Sequence, residues 1–174
     1  LIQALSEIKT VPVKVLDQQT VDFMVDHSRS QSSSTPFKIY ISGIKPSLNL
    51  DETAGFINEI RANFRGDPND CHILMAHMPD AADAASSSGI FDIQFSGHSH
   101  GGQCVLPLNS GTVYLPPGSK RYHGIVEANY RVGDMILTVS RGVGVTPLPF
   151  PLMRFLCPPE ISIVTLIPSD NSIV

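Results

Sequence analysis

Two apolar runs that each stop at a histidine constrain this chain more than any other feature. Cys71-His72-Ile73-Leu74-Met75-Ala76 runs straight into His77, and Phe91-Asp92-Ile93-Gln94-Phe95 leads into Gly97-His98-Ser99-His100-Gly101-Gly102-Gln103. Between them Pro79 opens an alanine-rich stretch that Gly89 ends, the punctuation of a short helix. Strand, turn, helix and strand in this order belong to a layered α/β protein. Both histidine turns then fall at the carboxyl ends of strands, where sheets of this class carry their sites.

The flanking sequence extends the pattern. Leu50, Ala54, Ile57, Ile60 and Phe64 recur at helical spacing, with Asp51 and Glu52 at the positive end of the helix dipole and Gly66 and Pro68 ending it. Phe37–Ser42 and Val21–Val25 read as strands, as does Val11–Val15 after a short helical stripe of Leu1, Leu5 and Ile8. The Ser-rich stretch Asp26–Thr35 has no apolar period and reads as an exposed loop. Beyond the second histidine turn the spacing predicts strands at Thr112–Leu115, Gly124–Tyr130, Met135–Ser140 and Ile161–Ile167, with a turn at Val132-Gly133-Asp134. Helices and strands alternate first and strands dominate later, in one domain over residues 1–174 with no repeat and no linker.

Charge and composition exclude several functions. The net charge of −4 offers no basic stripe for a sequence-independent grip on nucleic acid. No apolar run approaches the roughly 18 residues of a membrane span. The sequence opens on Leu1 rather than Met and shows no signal-peptide pattern, so a fragment of a longer chain is expected and the compartment stays open. Cys71, Cys104 and Cys157 are too few and too scattered for a disulfide framework or a thiolate zinc cluster, and Cys71 reads as a small core hydrophobe.

The histidines carry the chemistry. On an extended backbone residues two apart point to one side, so His98 and His100 are expected to face one pocket, with His77 as the natural third metal ligand. A lone histidine after a strand is most often solvated, but a His-x-His pair in a glycine-flanked turn is harder to explain that way. His72 lies inside its strand and His27 in the Ser-rich loop, and both read as structural or solvated; His123 stays open. Asp80 is expected to cap the following helix, and neither it nor Asp92 is expected to bind metal. Arg141 has two readings: a bidentate clamp on phosphate oxygens, or a structural arginine tying loop carbonyls together. Arg154 is expected to be structural, with Glu160 as one partner it could take.

The order His77-Met78-Pro79-Asp80, then Phe91 to Gln103, resembles the calcineurin-like metallophosphoesterases, and within them the branch of YkuE- and YaeI-type phosphodiesterases. That branch shows a His-Asn-Pro-Asp turn and a GHTHGGQ turn, from which Met78 and Ser99 depart mildly. Tyr122-His123-Gly124, Val139-Ser140-Arg141-Gly142-Val143-Gly144 and Arg154-Phe155-Leu156-Cys157-Pro158-Pro159-Glu160-Ile161 follow its tail. The resemblance implies the C-terminal half of a four-layer α/β/β/α sandwich and hydrolysis of phosphate mono- or diesters at two divalent ions (Mn, Zn or Fe). His77 and His98 would hold one ion and His100 the other, with Arg141 at the phosphoester substrate.

The family's Asp-x-His, Gly-Asp and Gly-Asn-His motifs have no counterpart here, and Asp17, Asp22 and Asp26 stand in none of them. The expectation is therefore a partial domain that needs its missing N-terminal portion, with no catalytic residue of its own assigned. Without a bridging carboxylate two dications repel each other. The alternative reading is a non-catalytic metal-binding or interaction fragment.

Overall fold

The computed structural model describes residues 16, 18–25, 37–67, 70–108, 111–115, 129–146 and 153–166. The stripe at 1–8, the strand at 11–15, the loop at 26–35 with His27, and residues 116–128 with His123 lie outside them.

Among the described residues, strands and α-helices follow one another as β1 (Gln19–Val25), β2 (Phe37–Gly43), α1 (Leu50–Asn63), β3 (Cys71–Met75), α2 (Ala82–Ser88), β4 (Ile93–Ser96), β5 (Cys104–Leu108), β6 (Gly111–Leu115), β7 (Asn129–Val132) and β8 (Met135–Val139). A six-stranded sheet runs β1-β2-β3-β4-β8-β7, and β5 with β6 forms a separate antiparallel pair. The four central strands are parallel, while β1 and β7 join the edges antiparallel. The expected mixed α/β architecture is present. Helix crossovers after β2 and β3 are what force those strands parallel.

Helix α1 starts where Asn49 accepts the backbone N–H of Asp51 at 3.0 Å and of Glu52 at 3.4 Å. Its buried stripe is Thr53, Ile57 and Ile60. Helix α2 continues a 3₁₀ turn at Pro79–Ala81 and ends on Gly89 in the left-handed conformation. Its small buried side chains Ala82, Ala85 and Ser88 let it lie close to the sheet. Both helices pack on Leu74, Ala76, Met135, Leu137 and Val139. Fully buried Leu74 and Leu137 each contribute about 2–3 kcal/mol. Replacing Asn49 with Ala should lower stability by about 1 kcal/mol, read as a shifted urea midpoint at unchanged slope.

The opposite face of the sheet is less covered, with Met75 47% and Ile136 42% exposed. No helix among the described residues is long and apolar enough to cross a membrane.

Two expectations change. The last strand, Ile161–Ile167, does not form over 161–166, where Ile161 is 81% and Ile163 91% exposed. Alternation says which side chains share a face, but a strand exists only where another strand accepts its hydrogen bonds, and no described strand does so. Strand β5 is an addition to the strands read from the sequence, which resume only at Thr112. It occupies a two-stranded ribbon, where a proline's missing N–H is tolerated.

Candidate metal centre

Three neighbouring parallel strands deliver the site. His77 follows β3, His98 and His100 follow β4, and Arg141 follows β8. The ladder continues past the strand ends: Ala76 N–H donates to Phe95 O at 3.1 Å, Gly97 N–H to His77 O at 3.2 Å, and Ser140 N–H to Ser96 O at 2.9 Å. The two histidine turns are therefore fixed to each other through the backbone. From below, fully buried Gln94 donates to Ser96 Oγ at 2.9 Å and to the Met78 and Pro79 carbonyls, steadying the turn that carries His77.

His98 Nδ1 lies 3.1 Å from His77 Nε2, with the rings edge to face and their centroids 4.9 Å apart. The His77 pKa lies below the ordinary imidazole value. Loss of solvent around the ring is the first cause, and the charges of His98 and His100 add to it. A neutral imidazole keeps its lone pair at physiological pH, which a metal ligand requires.

His100 stands apart from this pair. Its Nδ1 lies 3.2 Å from Gln103 Oε1. The extended geometry that would aim both turn histidines the same way is absent: His98 has φ 67°, Ser99 is in the right-handed helical region, and His100 has φ 50°. Three glycines relax the turn enough that its path is set by hydrogen bonds rather than by a strand's pleat. Two non-glycine residues at positive φ store strain, which in folded chains clusters at functional sites.

The tail holds the turn. The Arg154 guanidinium donates to His100 O at 2.9 Å, Arg141 O at 2.7 Å, Gly142 O at 3.0 Å and Gly144 O at 2.8 Å. Buried Cys157 adds its thiol to the carbonyls of His100 and Gly101, each at 3.3 Å. The pairing of Arg154 with Glu160 that the sequence allowed is replaced: Glu160 bonds Arg141 Nε at 3.2 Å, and Arg154 is the arginine that ties loop carbonyls together. The five N–H donors of a guanidinium suit this cluster of carbonyls, and the folded loop brings Arg154 rather than Arg141 to them. Sequence reasoning missed the supporting roles of Gln103 and Cys157. Their only signal was position, three residues after His100 and beside the loop arginine.

Among the described residues no carboxylate completes a ligand group with the histidines. Asp92 sits at the opposite end of β4 and accepts the His72 N–H at 2.7 Å. Asp80 lines a narrow cleft with His77, and its Oδ2 is buried without a hydrogen-bond partner. It does not cap α2, whose first turn has no side-chain cap, because the preceding 3₁₀ turn already supplies backbone there. Among the described residues no group of three or more His, Cys, Asp or Glu gathers closely enough to hold an ion. The donors present thus fit the imidazole share of a divalent-metal site and lack its carboxylate share.

Three known proteins match part of the chain. An uncharacterized metallophosphoesterase of Bacillus subtilis, YkuE, is 43% identical over 94 residues, 54% of this chain and 30% of that protein. An uncharacterized metallophosphoesterase of Helicobacter pylori is 30% identical over 100 residues, 58% of this chain and 24% of its own length. The phosphodiesterase YaeI of Escherichia coli is 30% identical over 95 residues, 55% of this chain and 32% of its own length. The matched stretch thus spans less than a third of each relative. No family model matches the chain, and no solved structure matches it significantly. By sequence the chain is related to the YkuE/YaeI-type metallophosphoesterases.

Proposed function

We propose that this chain is the C-terminal, histidine-bearing part of a metal-dependent phosphoesterase that hydrolyses phosphate mono- or diesters. The observation that carries it is the 3.1 Å approach of His98 Nδ1 to His77 Nε2 at the carboxyl edge of a parallel sheet. His77 and His98 would hold one divalent ion and His100 a second. Bound there, the ions would polarise phosphoryl oxygens and lower the pKa of a water. The chain's own residues bind and orient. The low pKa of His77 keeps its lone pair available, Arg154 and Cys157 fix the turn, and Arg141 places a guanidinium at the same edge to meet a phosphate oxygen. The bridging carboxylate would come from the N-terminal portion of the domain, of which residues 1–174 are then only a part. A second sheet over the Met75 and Ile136 face would complete a four-layer sandwich and explain why, among the described residues, those two side chains stand exposed.

A second reading, a non-catalytic metal-binding or interaction fragment, is favoured by the absence of a three-ligand group among the described residues. Elemental analysis of the purified chain, after loosely held ions are removed, separates the two. At least one tightly held divalent ion per chain is expected. Two ions, with hydrolysis of a chromogenic phosphodiester, would mean that the missing ligands are supplied without the N-terminal portion. No tightly held ion would overturn the reading of these histidines as a metal centre and favour the non-catalytic fragment.

A further inference from the structure

We infer that Gln103 is a positioning residue that locks His100 in the tautomer with its proton on Nδ1, leaving the lone pair on Nε2 for a metal ion. The metal half of this inference rests on the phosphoesterase reading; the tautomer half stands on geometry alone.

Gln103 is 3% exposed, and both ends of its amide are held by one residue. Thr146 N–H donates to Gln103 Oε1 at 2.8 Å, and Gln103 Nε2 donates to Thr146 O at 3.1 Å. A backbone N–H only donates and a backbone carbonyl only accepts. This pair of bonds therefore settles which end of the amide is oxygen. The oxygen faces His100 Nδ1 at 3.2 Å. A carboxamide oxygen cannot donate, so Nδ1 must carry the hydrogen. A neutral imidazole with its proton on Nδ1 has its only lone pair on Nε2.

The backbone makes the arrangement stiff. Gln103 N–H donates to His100 O at 3.1 Å, Phe155 N–H donates to Gln103 O at 3.0 Å, and Gln103 itself sits at φ 35°. The His100 carbonyl takes further donors from Arg154 and Cys157. Ring and amide are thus fixed from the same short segment. An orienting partner on the second ring nitrogen is what a metal-binding imidazole requires.

The test uses the metal-free chain labelled with ¹⁵N on histidine, at a pH where the imidazoles are neutral. Two-bond proton–nitrogen correlations then show which ring nitrogen is protonated. The wild type is expected to show a protonated Nδ1 and a bare Nε2 on His100. Gln103→Met keeps the side-chain length and removes the acceptor, so His100 should lose that pattern. Gln103→Glu keeps an acceptor oxygen and should restore it. With Zn²⁺ as probe, Gln103→Met should bind roughly 10- to 100-fold more weakly than wild type, and Gln103→Glu much less so. A proton on Nε2 in the wild type overturns the inference even if no variant folds, and so does a Gln103→Met chain that keeps the Nδ1 proton. A wild type that holds the Nδ1 proton but binds no Zn²⁺ sinks the metal-ligand role of these histidines and leaves the tautomer lock standing.

Discussion

Gly101→Ala is expected to destabilise the chain by about 3 kcal/mol and to dislodge the histidine turn. Gly101 sits at φ 63°, ψ 22°, where an L side chain crowds its own carbonyl. A Cβ there would also lie 2.7 Å from Arg141 Cγ, 2.8 Å from Cys157 Sγ and 2.9 Å from Arg141 Cδ. Neither neighbour can step aside freely. Arg141 is held by Glu160 and Cys157 by the carbonyls of His100 and Gly101. Left-handed strain costs about 1 kcal/mol or slightly more, and overpacking adds about 1–3 kcal/mol. Gly89→Ala provides the control, because Gly89 has φ 71° but nothing within 4 Å of a Cβ. It should lose only the left-handed part. Urea unfolding of both variants separates the two contributions, and equal losses would show that the contacts around Gly101 yield without cost.

That comparison also marks what the sequence could and could not reveal. The strands that bear His77 and His98 were legible because apolar runs and helix punctuation are local. Their parallel register was legible because a helix lies between them. The facing of His77 and His98 followed from those two facts. His100 was not legible in the same way. Its direction depends on positive φ at two non-glycine residues and on an amide clamped by Thr146, 43 positions away. The arginines were exchanged for a similar reason: Arg154 is near Glu160 in sequence, and only the folded loop brings Arg141 to that carboxylate and Arg154 to the carbonyls. Ile161–Leu166 failed as a strand because pairing is a property of two segments, and only one was visible. Among the described residues no carboxylate completes the histidine group.

Acidification from pH 6.5 to 4 should remove up to about 3 kcal/mol of stability through His72 alone. His72 is 1% exposed, stacked on Phe64 with centroids 4.1 Å apart, and tilted against Phe91 at 4.4 Å. Its Nε2 bonds Ser42 Oγ at 2.7 Å, while Nδ1 is buried without a hydrogen bond. Burial pushes its pKa down to about 4, and the Ile90 carbonyl pulls weakly the other way. Above pH 6.5 the ring is neutral in both folded and unfolded chains and adds no pH dependence. Below that value the unfolded chain takes a proton that the folded chain refuses until about pH 4, so stability falls across that window. His77, also lowered, acts in the same direction from a more exposed position. His72→Phe should keep the aromatic packing and flatten the slope, whatever its stability at neutral pH. Every other titrating group is common to both chains, so the difference between the two slopes, measured by urea unfolding, isolates the buried ring. Parallel slopes would mean that His72 picks up its proton in the folded chain, and that its aromatic cage opens to admit it.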